Sequence, residues 1–482
     1  MQFRGLREFI GILETENQLV RIEAQVDPKH ELSAIASRLS REKNLAVLFE
    51  NVKGSEIPVL TNLLLSRKRI SIALKAEENQ LSEEWIRRMD ATWPTPRIVS
   101  HSPCKDVILK VPEEFDLTRN LPQVWWNPGD GGPFILGAVV ITKNPETKVR
   151  NMGVYAMQIH GKDKLGLRIS PLGDTGVNYQ KAVEREEPLE IAVCIGVDPV
   201  ILLAAAASLA YGEDELSLAG ALKERPIDLV KCETLDLEVP AYSEIVLEGR
   251  VPPAEQMLEG PFVEDPGYVE TVKTPRPVIQ VETVAYRETP IYQGIVCGIG
   301  QNLGINEDAQ IGQISREALT LRAAGRILSG IKNIHMPVSG RAMYIGYVSI
   351  RKESPDMPER AMHAVWGTPT GRGIKYLVVV DDDINVRDKN QVEWAIATRS
   401  QPRSYLIIPV SKRYHYDPSK EFNGIYMGDP SPEIKNGINI TSKIGIDATI
   451  PFDKKDVFQV SRFSEEITKR VEARWSELFE SE

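Results

Sequence analysis

Between Gly129 and Cys297 the sequence breaks into short runs rich in Val and Ile, each bounded by Gly, Pro or Asp, at 134–142, 189–195, 241–247 and 278–286. Runs of this length and composition predict strands. Several in one stretch predict a barrel or curled sheet, interrupted by one helix near 215–222. The flanks read differently. Leu6, Phe9, Ile10 and Leu13 have helical spacing, as do Leu32, Ile35, Ala36 and Leu39, and 44–52 reads as a buried strand. Proline-rich stretches at 93–96 and 121–122 mark a boundary. Residues 309–332 predict a long amphipathic helix, with Ile314, Ala318, Leu321, Ala324 and Leu328 on one stripe. Strands follow at 343–350 and 375–380, with a helix through Met362 and Trp366 and another capped by Asp388 and Gln391. A final helix is capped by Ser464 and carries Ile467, Val471, Trp475 and Leu478 at helical spacing. That stripe suits docking on another chain or on the protein's own core. The predicted fold class is mixed α/β and β, in four parts: an N-terminal α/β segment (1–115), a β-rich central domain (116–308), a linker helix (309–332) and a C-terminal α/β domain (333–482).

Composition removes several functions. The 482 residues carry a formal charge of −10, which argues against a general nucleic-acid or anionic-membrane binder. Cys104, Cys194, Cys232 and Cys297 form no CxxC pair, so they read as buried thiols rather than a zinc site or disulfide framework. The longest apolar run, 200–207, is far short of the ~18 residues a membrane span needs. The first residues lack the apolar core of a signal peptide, so a cytoplasmic protein is expected.

Several segments have chemical potential. Gly298, Gly300 and Gly304 miss the dinucleotide spacing by one and read as a glycine turn. Asp381, Asp382 and Asp383 end a strand, where they form either a cation site or a solvated turn with a helix cap. Glu259 and Glu264 flank Gly260-Pro261-Phe262. A turn there brings both carboxyls to one point beside an apolar wall, which separates their pKa values and suits a general acid with a supporting base. The same segment also reads as a plain surface turn. Asn151 with Glu215 would suit an oxygen-seeking divalent cation, and the small residues Ala206, Ala207 and Ser208 permit the close backbone approach that phosphate binding needs.

In order along the chain these segments resemble the UbiD family of reversible decarboxylases: Asn-x-Gly-x-Tyr at 151–155, the run from Glu215 to Gly220, 239–249, the Glu259–Glu264 segment, 380–388 and 445–449. The resemblance implies a carboxy-lyase with a central split β-barrel like that of flavin reductases, holding prenylated FMN. Mn²⁺ would bridge the cofactor phosphate, with K⁺ nearby, and the C-terminal domain would serve oligomerisation. It implies a homo-oligomer, dimer or hexamer, or a hetero-oligomer with other UbiD-like chains, and a flavin prenyltransferase as cofactor supplier. Asn151 and Glu215 match the metal ligands, and Ala206, Ala207 and Ser208 the phosphate stretch. Arg168 falls in the cofactor-binding stretch. Glu264 matches the proton donor and Glu259 its partner. An aromatic or unsaturated carboxylic acid would form a covalent adduct with the cofactor and lose CO₂, or the reverse.

Two positions depart from the family pattern. Its catalytic arginine follows the Asn-x-Gly-x-Tyr segment, where this chain has Ala156. Its metal-ligating histidine has no counterpart in 169–174; His160 is misplaced, and Asp174 is not assigned. Without the arginine two carboxylates cannot both stay ionised in a dry pocket, so one is protonated or another cation enters. These losses open a second reading, a non-catalytic or regulatory subunit of a heteromeric carboxylase of the phenylphosphate-carboxylase type. A flavin-dependent oxidoreductase is a third, by analogy of fold.

Overall fold

The computed structural model describes residues 3–298, 306–412, 417–419, 440–454, 456–461 and 463–479. It is a mixed α/β structure built on several sheets, with no closed barrel among the described residues. The N-terminal sheet has the order Leu19–Ile22, Ala46–Phe49, Val59–Thr61, Tyr292–Gln293. Its last strand comes from far along the chain, so the N-terminal and central parts share one sheet. Helices Leu6–Thr15 and Glu31–Glu42 cover it with the apolar residues spaced for that purpose; Leu6, Phe9, Leu13, Leu32 and Ala36 are fully buried.

The central sheet is antiparallel, in the order Lys164–Gly166, Thr274–Tyr286, Ile245–Val251, Leu189–Ile195, Val139–Lys143, Arg150–Val154. Thr274–Tyr286 is long enough to pair also with Gln256–Glu259 and Val107–Lys110. Two predicted strands have other bounds than the sequence suggested. The first splits into Phe134–Ile135 and Val139–Lys143 at Gly137, where φ is +83° and a Cβ would stand 2.7 Å from Ile295. The strand expected from 241 starts at Ile245, because Ser243 turns back to the Pro240 carbonyl through both its N–H and its hydroxyl. All four cysteines are buried free thiols.

The helix Glu307–Ile327 joins this body to the C-terminal one. It ends five residues before the predicted limit, since Leu328 is extended and Ile331–His335 is a strand. Ile311, Ile314 and Ala318 belong to the first core and Ala324 to the second, so the helix is buried nearly all round rather than on one stripe. Its Glu317 is fully buried, with its carboxylate bonded to Ser82, Arg387, His335 Nδ1 and the Met336 N–H, and Arg67 at 3.5 Å. These cations and hydrogen bonds hold Glu317 down to about 2, against the burial that would raise it.

The C-terminal sheet has the order Ile331–His335, Ile345–Ile350, Tyr376–Asp381, Ile440–Ala448, Leu406–Lys412, with parallel central pairs. Its strand Tyr376–Asp381 is covered on both faces: Leu377 and Val379 join one core, Val378 and Val380 another. The aspartates that end it face Arg399, which bonds Asp381 at 3.0 Å and Asp383 through two nitrogens at 2.8 and 2.9 Å. They form an ion-pair cluster at a helix end. Asp388 caps the helix Lys389–Arg399 as expected, and Gln391 returns a hydrogen bond to it. Ser464 caps Glu465–Ala473, and the expected single helix breaks at Arg474 into this helix and a short one, Trp475–Phe479; Ile467, Val471, Trp475 and Leu478 are all exposed. Among the described residues no helix is long and apolar enough to cross a membrane.

Candidate active site

The segment Glu259–Glu270 is a turn held from outside. Glu259 ends a strand paired with Thr274, and Gly260 follows with φ +101°. Phe262–Val263 then pairs with Val269–Glu270, setting Phe262 opposite Glu270. The Gly260 N–H donates to Gln158 Oε1 at 2.8 Å, and the Val263 N–H to Asp130 Oδ1 at 2.9 Å. Burial pushes that Asp130 carboxyl up to about 6. Asp265 beside Glu264 is ion-paired to Arg341 of the C-terminal body. Gly298 packs on the same turn; a Cβ there would stand 2.6 Å from the Glu264 carbonyl. Close approach accounts for that glycine, and the rest of its Gly-rich stretch lies outside the described residues.

The structure brings Glu259 and Glu264 together, and Arg168 joins them. Arg168 Nη1 donates to Glu259 Oε1 at 2.9 Å, Nη2 contacts Glu264 and Glu270, and the guanidinium lies 4.6 Å from the Phe262 ring centre. All four charged side chains are nearly sealed from solvent. Burial raises the Glu259 carboxyl, and Arg168 opposes the rise. Three carboxylates crowd one guanidinium, Arg276 also acts on Glu259, and burial disfavours the charged form of the Glu259 carboxyl. A proton held beside an apolar wall is what a general acid needs.

Arg168 lies beside the position that Ala156 fills. Its backbone N–H donates to the Ala156 carbonyl at 3.1 Å, so the two residues are neighbours just outside the strands Met157–Gln158 and Lys164–Gly166. Sequence alone placed Arg168 with the cofactor and gave no sign that it closes on the carboxylates; Glu270 was missed entirely. The signal lay in pairing, which a linear motif does not record.

Asn151 and Glu215 also meet. Asn151 lies on Arg150–Val154 and Glu215 opens the helix Glu215–Lys223, whose N-cap is Asp214. Asn151 Nδ2 is 3.3 Å from Glu215 Oε1, the Met152 N–H donates to Glu215 Oε2 at 2.9 Å, and Thr175 Oγ1 donates to Asn151 Oδ1 at 2.7 Å. Burial pushes Glu215 up to about 8, with Asp174 and Asp214 adding repulsion. Asp174 opens the neighbouring helix Asp174–Glu184. Among the described residues no Lys or Arg forms a salt bridge with Glu215, and no three His, Cys, Asp or Glu side chains converge to hold a metal by themselves. An amide oxygen and an uncompensated buried carboxylate fit a hard cation completed by ligand oxygens.

Ala206, Ala207 and Ser208 follow the helix Pro199–Ala205. The Ala206 N–H donates to Leu202 and the Ala207 N–H to Ala204. Those two amides close the end of the helix.

Family models for the 3-octaprenyl-4-hydroxybenzoate carboxy-lyase match the chain along most of its length: the N-terminal domain over 10–89, the Rift-related domain over 97–300 and the C-terminal domain over 309–448. The chain is 34% identical to an uncharacterized protein of Archaeoglobus fulgidus over 99% of both. Among solved structures, it is similar to the UbiD-class enzyme HmfF from Pelotomaculum thermopropionicum in an evolved dimeric form with prenylated FMN. The TM-score is 0.82, with 34% identity over 97% of this chain and 98% of that one. Vanillic acid decarboxylase from Sedimentibacter hydroxybenzoicus, in open form, gives a TM-score of 0.85 at 26% identity over the whole of both chains.

Proposed function

Because the chain belongs to the UbiD family of carboxy-lyases, we propose that it is a prenylated-FMN-dependent non-oxidative decarboxylase or carboxylase of an aromatic or unsaturated carboxylic acid. The observation that carries this reading is the Arg168 bridge between Glu259 and Glu264. The alternative, a non-catalytic subunit of a heteromeric carboxylase, drew on a missing cation and a missing histidine. Arg168 supplies the first. Asp174, which acts electrostatically on Glu215, supports a metal site without the second.

In this reading residues 116–308 would hold the flavin. Asn151 and Glu215 would be the chain's ligands to Mn²⁺, K⁺ would be a further cation, and a flavin prenyltransferase would supply the cofactor. When bound, prenylated FMN supplies the electron sink for cleaving the bond to the carboxyl group. The chain's own residues handle the proton. Decarboxylation takes up one proton at carbon for each CO₂ released; Glu264 gives it, and Glu259 with Arg168 sets the charge that Glu264 faces. Burial of the cluster strengthens these interactions by excluding water.

The test is co-expression with a flavin prenyltransferase and anaerobic purification. Absorbance, manganese content and native mass are then recorded, followed by assay on aromatic and α,β-unsaturated acids for CO₂ release. Bound prenylated flavin with CO₂ release is expected. An empty chain that turns over nothing, and copurifies with a second UbiD-like chain, would overturn the enzyme reading in favour of the subunit.

A further inference from the structure

Glu259 uses one carboxylate oxygen on Arg168. Its other oxygen, Oε2, is buried and has no hydrogen-bond partner among the described residues. The same is true of Nε2 of His160, a residue the metal and carboxylate sites leave unused. Both atoms converge on Gly166. A Cβ there would stand 2.5 Å from Glu259 Oε2 and 2.8 Å from His160 Nε2. A side chain at 166 would thus meet both groups, which lie on the same side of Gly166 with no hydrogen bond or ion pair between them. The His160 loop is fixed by its own N–H, which donates to the Lys164 carbonyl at 3.0 Å, so the imidazole is carried beside strand Lys164–Gly166 rather than hanging free.

We infer that His160 is the proton-sharing partner of Glu259, a positioning residue that links the buried carboxylate cluster to solvent. The inference rests on Glu259 and Glu264 acting as the acid–base pair. A turn of the imidazole toward Gly166 would bring an N–H at Nε2 to Glu259 Oε2, to which it passes its proton, and the imidazole takes one back from water. One solvent proton therefore enters for each one consumed. Burial raises the Glu259 carboxyl and lowers the His160 imidazole, which draws their proton affinities together. Lys273 acts on the imidazole; Arg168, Arg276 and Glu270 act on the carboxylate. His160 is only partly exposed, so it stands between the sealed cluster and water.

The coupling is measurable on the full-length chain without substrate. The protein has six histidines; with ¹³C,¹⁵N-histidine labelling, the His160 signals are identified by their loss in His160→Gln. Titration of His160 is followed by NMR in the wild type and in Glu259→Gln. The isosteric amide removes a neighbouring negative charge, so the His160 midpoint should move down by about one pH unit while other histidines stay in place. Gly166→Ala, which interposes a methyl group, should lower it in the same direction. It serves as the second probe if Glu259→Gln misfolds. A His160 midpoint unchanged in a folded variant overturns the pairing. Because no turnover is involved, that result would leave the carboxy-lyase reading standing. Failure of every substrate would in turn leave the coupling intact.

Discussion

The backbone N–H of Arg168 donates to the carbonyl of Ala156 at 3.1 Å, and Ala156 is the position at which the family pattern carries its arginine. Residues joined by a backbone hydrogen bond lie side by side, so a guanidinium on either one can reach the same carboxylates. Arg168→Ala should lower turnover by roughly 100-fold or more, the scale for losing a preorganised charged donor, while flavin absorbance is retained. Adding Ala156→Arg to that variant should recover a substantial part of the loss. Steady-state CO₂ release from the single and double variants decides; equal activity of Arg168→Ala and wild type would remove Arg168 from the site.

Glu264→Gln keeps the shape of the donor and removes its proton. Turnover should fall by roughly 10²–10⁴-fold, the usual worth of a general acid, with the thermal midpoint within a few degrees of wild type. Activity comparable to wild type would transfer the donor role to Glu259 or Glu270.

Metal retention should depend on pH through Glu215. Its carboxyl is pushed up to about 8 without a bound cation, and a cation must displace that proton. Below the midpoint, affinity for Mn²⁺ should therefore fall about tenfold per pH unit. Electron paramagnetic resonance titration with Mn²⁺ at pH 7 and pH 9 measures the difference. Glu215→Gln should abolish the pH dependence and weaken binding at both values.

Glu317 gives a stability prediction with a defined sign. Its carboxyl is held down to about 2, below its ordinary 4.5. A depressed folded-state pKa contributes stability that is present above about 4.5 and is lost as pH falls toward about 2. Glu317→Gln leaves Arg67 and Arg387 facing a neutral amide, which should cost roughly 3–5 kcal/mol at pH 7. The variant should also lose less between pH 5 and pH 3 than wild type does. Urea denaturation at the three pH values tests both statements.

The stripe Ile467, Val471, Trp475 and Leu478 is exposed among the described residues. Deleting residues 464–482 should reduce native mass by dissociating copies of the chain, with little change in the thermal midpoint of the remaining body. An unchanged native mass would show that the helix does not hold copies together.

What the sequence made legible follows from where the information sits. Helices with one apolar face, such as Leu6–Thr15, were readable from spacing. So were strands buried on both faces, such as Tyr376–Asp381, and caps such as Asp388. The joining helix was misjudged because burial all round leaves no stripe to mark its end. Glu259 with Glu264 and Asn151 with Glu215 were each brought together as expected. Arg168 and Glu270 were not legible as members of the carboxylate cluster, because their nearness to Glu264 is created by strand pairing. Ala206 and Ala207 have the right residue size for a cradle, and composition does not reveal that their amides close the end of a helix.

Among the described residues, the C-terminal body is fastened to the rest at two points. One is the helix Glu307–Ile327, whose two ends are rooted in different cores; the other is the Arg341–Asp265 ion pair. A solid anchored at two points keeps one easy freedom, rotation about the line through them. Swinging of this body would therefore displace its outer strands most. Glu264 sits next to one of the pivots and would travel least, like a pin set close to the hinge of a door.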